Sequence, residues 1–224
     1  MKVISVSQGF TSDHSSTSYE FLAVDKPLSK EARSRVASLS RRANPTRRRV
    51  SFIYHVDGYD IPGGWKPLMR DYYDVMYSES YDRWNLVMAF NAPKEQQEAL
   101  AAYGFDNEDG YGVQVTTFDS RVIVSVNCSL ASDAISYLEE SYEESEEKEE
   151  GATLEVEDEL LNLLIQVRQQ LMRGDYRTLY AVWEMYGWEE GEDEEEEWAP
   201  PPVPPDRPEG RATVEQFRAI LVTP

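Results

Sequence analysis

Histidine and cysteine are nearly absent: two of the first and one of the second in 224 residues. The lone Cys128 excludes an internal disulfide framework and a cysteine-rich zinc site. Its setting, VIVSVNCSL, predicts a buried strand end, where apolar surroundings raise a thiol pKa and quench reactivity. Long apolar runs are missing as well. No stretch reaches 18 consecutive apolar residues, so no membrane-spanning helix is expected. The opening MKVISVSQGF has no apolar core of signal-peptide length, which predicts a cytoplasmic protein without a membrane partner. There is no Gly-x-x-x-x-Gly-Lys-Ser/Thr loop, no Rossmann glycine pattern and no Gly-x-Ser-x-Gly elbow. These absences argue against the common nucleotide-binding and serine-hydrolase classes, and no cofactor is expected.

What is abundant is acid. The net charge is −20, from 42 Asp and Glu against 22 Lys and Arg. The distribution is uneven: residues 1–50 carry +6 and the remainder −26. A globally acidic chain is repelled by nucleic acid and by anionic membranes, so only a segregated basic patch could bind either. Arg41, Arg42, Arg47, Arg48 and Arg49 are that candidate patch, five arginines in nine residues interrupted by Asn44-Pro45. Arginine suits carboxylate and phosphate forks. A positive segment on an acidic protein meets its own carboxylates first. The expectation is therefore contact with carboxylates, of this chain or of a protein partner, rather than with nucleic acid.

Period-two apolar patterning predicts strands at Tyr19–Val24, Val50–Tyr54 and Trp84–Phe90, and a hairpin of Val113–Phe118 with Val122–Val126 around Asp119-Ser120. Ser29 is a helix N-cap before KEARSRVASLSRR, and Ala92-Pro93 opens KEQQEALAAYG. WKPLMRDYYDVMY reads as a short helix running into a strand. From residue 131 the period becomes helical. Leu160, Leu161, Leu164, Val167, Leu171 and Met172 share one face, and Leu179, Val182, Trp183 and Tyr186 another. The fold class is α+β: a mixed sheet with helices, of split βαβ type, plus a C-terminal helical hairpin. The expected organisation is an α+β domain over 1–130, a helical part packed on it over 131–187, an acidic and proline-rich linker over 188–211, and a terminal helix over 212–224. The proline run APPPVPPDRP reads as a stiff spacer.

Two polar stretches carry the residue types of catalysis or metal binding. Asp13-His14-Ser15 supplies an acid, a base and a hydroxyl, but side chains adjacent in a chain point apart and rarely form a relay. Asx and Ser/Thr turns leading into the strand satisfy the same residues. His55, Asp57 and Asp60 could hold a hard cation, yet loops of Asp, Gly and Tyr are commonly plain turns. No catalytic, cofactor or metal residues are therefore assigned.

Residues Phe10 to Asp25, FTSDHSSTSYEFLAVD, followed by Pro27-Leu28, resemble a bacterial family of hypothetical proteins with no assigned activity. The resemblance extends over Ser40–Thr46, Arg70–Asp74, Leu171–Trp183 and Pro200–Pro205. Ser78–Asp82 departs from that pattern, which has an aromatic-Gly turn there, and Arg47–Arg49 are more basic. The resemblance implies neighbours with a SWIM-type zinc finger, hence a multi-protein system, and gives the first motif the standing of a family marker. The expected function is a non-enzymatic interaction or accessory subunit of a bacterial multi-protein system, docking through charged surfaces. Two alternatives stay open: a hydrolase using Asp13 and His14, and an acidic nucleic-acid mimic or inhibitor. The oligomeric state is open too.

Overall fold

The computed structural model describes residues 17–41, 43–54, 61–81, 83–144, 156–187 and 200–223. The fold is α+β. Its strands are β1 (Thr17–Leu22), β2 (Arg49–Tyr54), β3 (Val75–Ser80), β4 (Arg83–Asn91), β5 (Phe105–Asp106), β6 (Gly112–Phe118), β7 (Arg121–Leu130) and β8 (Leu221–Val222). Its helices are α1 (Lys30–Ala37), α2 (Lys66–Asp71), α3 (Lys94–Ala101), α4 (Ala134–Glu144), α5 (Glu159–Met172), α6 (Arg177–Tyr186) and α7 (Arg211–Ile220). The strand order is β2-β1-β3-β4-β7-β6-β5, with β8 on the end of β7, and every pairing of neighbours is antiparallel.

Two split βαβ units sit inside this order. β2 and β3 both run antiparallel to β1 between them, so they are parallel to each other and α2 joins them. β4 and β6 are parallel in the same way, with α3 on their connection and β7 between them. The β6–β7 hairpin closes at Asp119, whose φ of 53° belongs to the left-handed region that short polar side chains tolerate.

Side-chain alternation divides the sheet into two faces. Leu86, Met88 and Phe90 of β4 and Val122, Val124 and Val126 of β7 face the larger core, where α5, α6 and α7 contribute Leu160, Leu164, Leu171, Val182 and Phe217. Phe21, Met76, Val87, Ala89 and Ile123 face the other way, beneath Val36 of α1 and Leu68 and Met69 of α2. The two helices predicted as a hairpin are present, but α5 lies on β3 and β4 while α6 lies on β6, and it is α7 that packs against both helices. Met172, expected on the inner face, is 43% exposed; Leu171 fills the core position at the helix end.

Helix α1 stops at Ala37, earlier than KEARSRVASLSRR suggests, because the Ser38 hydroxyl donates to the Arg35 carbonyl and competes with the helical ladder. Helix α5 starts at Glu159, where the Asp158 carboxylate accepts from the Leu161 amide as N-cap. The proline run is tied down rather than free. Pro201 is buried, Tyr103 Oη donates to the Pro202 carbonyl at 2.8 Å, and Arg177 donates to the carbonyls of Arg207 and Glu209. Proline carbonyls remain acceptors although the ring removes the donor, so the segment can be held from one side.

Candidate interaction surface

Asp13, His14 and Ser15, together with His55, Asp57 and Asp60 and the arginine Arg42, lie outside the described residues. The other four arginines of the cluster have separate surroundings. Arg48 turns back on its own chain and donates from Nη1 to the carbonyls of Ala23 at 2.8 Å and Val24 at 2.7 Å. Arg49 Nε donates to Glu20 Oε2 at 2.9 Å, and its Nη2 to Asp158 Oδ2 at 2.8 Å. Arg41 and Arg47 are exposed. Arg49 therefore contacts carboxylates of its own chain, Arg48 contacts backbone oxygens, and Arg41 and Arg47 present their charge to solvent.

The exposed arginines belong to a longer basic ledge. Residues 26–48 hold eight Lys or Arg and one acid, Glu31. Lys26, Lys30, Arg35, Arg41 and Arg47 are exposed and Arg33 is half-buried. The backbone brings the ends of this stretch together, since the Leu28 amide donates to the Arg47 carbonyl and the Ala23 amide to the Arg48 carbonyl. Val36 anchors α1, leaving Lys30, Glu31 and Arg35 outside. Arg35 in the last turn and Glu31 in the first both suit the helix dipole. Sequence reasoning centred on residues 41–49 and missed Lys26, Lys30, Arg33 and Arg35. A net-charge window of about twenty residues was the signal that would have found them.

Behind the ledge, paired charges bind the layers. Asp158 uses Oδ1 to cap α5 and Oδ2 to accept from Arg49 and from Tyr77 Oη at 3.1 Å. Burial pushes the Glu20 carboxyl above its ordinary range, against the lowering influence of Ser51 and Arg49. The two carboxylates outweigh burial at Arg49 and raise its pKa. A raised carboxyl means that the folded chain binds more protons than the unfolded chain above an ordinary value near 4.5. The contribution of Glu20 to stability is therefore lost as pH rises from 4.5 through its folded pKa. Urea midpoints of the native chain and of Glu20→Gln, compared at several pH values, should show the difference moving in favour of the variant as pH rises through that window. A difference that is flat in pH would contradict the assignment.

A second network holds the sheet to α5. Asp74 Oδ2 accepts from the amides of Val24 at 2.8 Å and Asp25 at 2.9 Å, and Oδ1 accepts from Arg121 at 2.8 Å. Arg168 lies 3.7 Å from the same carboxylate, donates to the Ala89 carbonyl at 2.8 Å and pairs with Asp25 at 2.6 Å. Cys128 is fully buried and burial pushes its thiol upward, as its apolar strand predicts. Among the described residues, no three His, Cys, Asp or Glu side chains converge as a metal site. No helix among them is long and apolar enough to cross a membrane.

No family model matches the chain, and no curated protein or solved structure matches it either. The likeness to the bacterial family noted above therefore rests on the motif residues alone.

Proposed function

We propose that this chain is a non-enzymatic docking subunit of a multi-protein assembly, and that its basic ledge receives an acidic surface of a protein partner. The observation that carries this reading is charge segregation: Lys26, Lys30, Arg35, Arg41 and Arg47 stand exposed on a chain whose net charge is −20. Complementary patches of this kind speed encounter and fix register, and their contribution weakens with salt. A protein carboxylate surface suits the ledge better than nucleic acid. A long polyanion must also pass the acidic remainder of the molecule, whereas a partner's patch can be as small as the ledge.

The test compares an immobilised poly-glutamate peptide with duplex DNA and single-stranded RNA at low salt. The native chain should be retained saturably on poly-glutamate, and retention should fall with added salt. A triple variant, Arg35→Glu, Arg41→Glu and Arg47→Glu, should lose about tenfold or more, because three rim pairs of roughly 0–1 kcal/mol each are replaced by repulsion. Saturable DNA or RNA binding below about 1 μM, tighter than ordinary non-specific association and abolished by the same variant, would replace the protein-docking reading. Retention that the triple variant leaves unchanged would remove the ledge from the function altogether.

A further inference from the structure

The sheet face that α1 and α2 cover is apolar at one end and polar at the other. Across β3, β4 and β7 the register places Ser78, Asn85 and Asn127 directly opposite one another in one row, which ends on Gly112 of β6. The next row inward holds Met76, Val87, Ser125 and Gln114, and the next outward holds Ser80 and Arg83. A recess of about 140 Å³ opens here, lined by Ser78, Ser80, Arg83, Asn85, Tyr111 and Asn127 among others. Gly112 adds no side chain to the row, and none could be added. Its φ is 150° and a Cβ would overlap the Phe105 carbonyl oxygen of β5.

The lining is supported and rich in donors. Ser125 Oγ donates to Asn85 Oδ1 at 2.7 Å, which fixes the amide and leaves its NH2 group as the donor end. Ser80 and Thr17 share a hydroxyl hydrogen bond at 2.9 Å. Arg83 Nη1 donates to the Asp109 carbonyl at 2.7 Å, and the guanidinium lies 5.0 Å from the centroid of the Tyr111 ring. The Asn107–Gly110 turn holds that wall, with the Gly110 amide on the Asn107 carbonyl and the Tyr111 amide on Asn107 Oδ1. No described carboxylate lines the recess, in a chain with 42 acids, and the described lining includes one cation.

We propose that this recess binds a small organic carboxylate. The volume is close to that of a cavity that accepts benzene, so the ligand has about six non-hydrogen atoms. Arg83 provides a planar guanidinium suited to a carboxylate, and Asn85, Asn127 and Ser78 provide neutral donors for its other oxygens. A phosphate dianion is the poorer fit, because one cation on a strongly acidic protein leaves its second charge uncompensated. This site is separate from the ledge and does not depend on the docking reading.

The experiment is a titration of the full chain, followed by the side-chain amide signals of Asn85 and Asn127 in a 15N correlation spectrum. The probes are sodium lactate, glycerol and inorganic phosphate; lactate and glycerol each have six non-hydrogen atoms. Lactate should shift both amides saturably, with a Kd in the millimolar range or tighter. Arg83→Gln should weaken lactate by about tenfold or more, the ordinary worth of a hydrogen bond to a charged group. Arg83→Lys should recover part of the loss, and it serves as the reference if the Gln variant does not fold. Equal shifts with glycerol, or no saturable shift with lactate, would overturn the proposal. Phosphate binding as tightly as lactate would overturn the carboxylate assignment.

Discussion

Replacing Asp74 with Ala should destabilise the protein by about 3–5 kcal/mol, the usual result of removing one partner from a buried charge network. Asp74 is 6% exposed and Arg168 is 2% exposed, so water cannot take over the lost contacts. The substitution leaves Arg121 without its carboxylate and strips the amides of Val24 and Asp25 of their acceptor. It also removes the second carboxylate within reach of Arg168. The network joins the segment after β1 and the residue before β3 to β7 and α5, parts far apart in sequence, so the loss should lower the transition of the whole chain. Urea denaturation measures it. The isosteric Asp74→Asn is the informative companion: it keeps an acceptor for the amides and loses the charge. If Asn restores most of the stability, the amide contacts dominate. A cost below about 1 kcal/mol for Ala would place Asp74 among ordinary surface acids.

Phe217→Ala should cost about 3–5 kcal/mol, the range for emptying a large buried aromatic site. Phe217 is fully buried on α7, in the core cluster shared with α5 and α6. Its removal also loosens what α7 carries. Leu221 and Val222 follow the helix directly as β8 and pair with Leu130 and Ser129 at the end of β7. Tyr186 Oη joins the same end, donating to the Val222 carbonyl at 2.7 Å. Hydrogen exchange should therefore speed up at Ala131, whose amide donates to the Ile220 carbonyl, more than at the centre of β4. A stability loss without that local pattern would mean that α7 is not the holder of β8.

Much of the sheet was legible because its strands obey a simple rule. Trp84–Phe90 and Val122–Val126 are rich in branched and aromatic residues, and the Asp119-Ser120 turn between β6 and β7 has the chemistry of a two-residue hairpin. Helices α5 and α6 were legible from their apolar arcs. β8 was not, because two residues carry no period and its pairing depends on where α7 docks. Helix α4 was not either, since Tyr137 and its glutamates read as a charge run, and among its described residues only Ala134 and Leu138 are buried. The polar row on the sheet was hidden for a different reason: Ser78 and Asn127 are 49 residues apart in the chain, with Asn85 between them, and only the register aligns the three. Asp74 could not be singled out among 42 acids, because what distinguishes it is burial and not neighbours in the chain.

The position of β7 has a consequence in time. It lies between β4 and β6, yet it follows both in the chain, and about 30 residues separate Asn91 from Arg121. A ribosome adding roughly 5–20 residues per second needs about 2–6 s to make that stretch. During this interval β4 can pair with β3 on one side only, and its other edge offers unpaired donors and acceptors along Leu86–Phe90, an apolar template for a neighbouring nascent chain. The opposite edge of the finished sheet, β2, begins at Arg49 beside a segment crowded with like charges, which discourages the same accident once folding is complete. The vulnerable moment of this protein is therefore its synthesis, and slowing elongation between residues 92 and 120 should raise the aggregated fraction while leaving the stability of the mature chain unchanged.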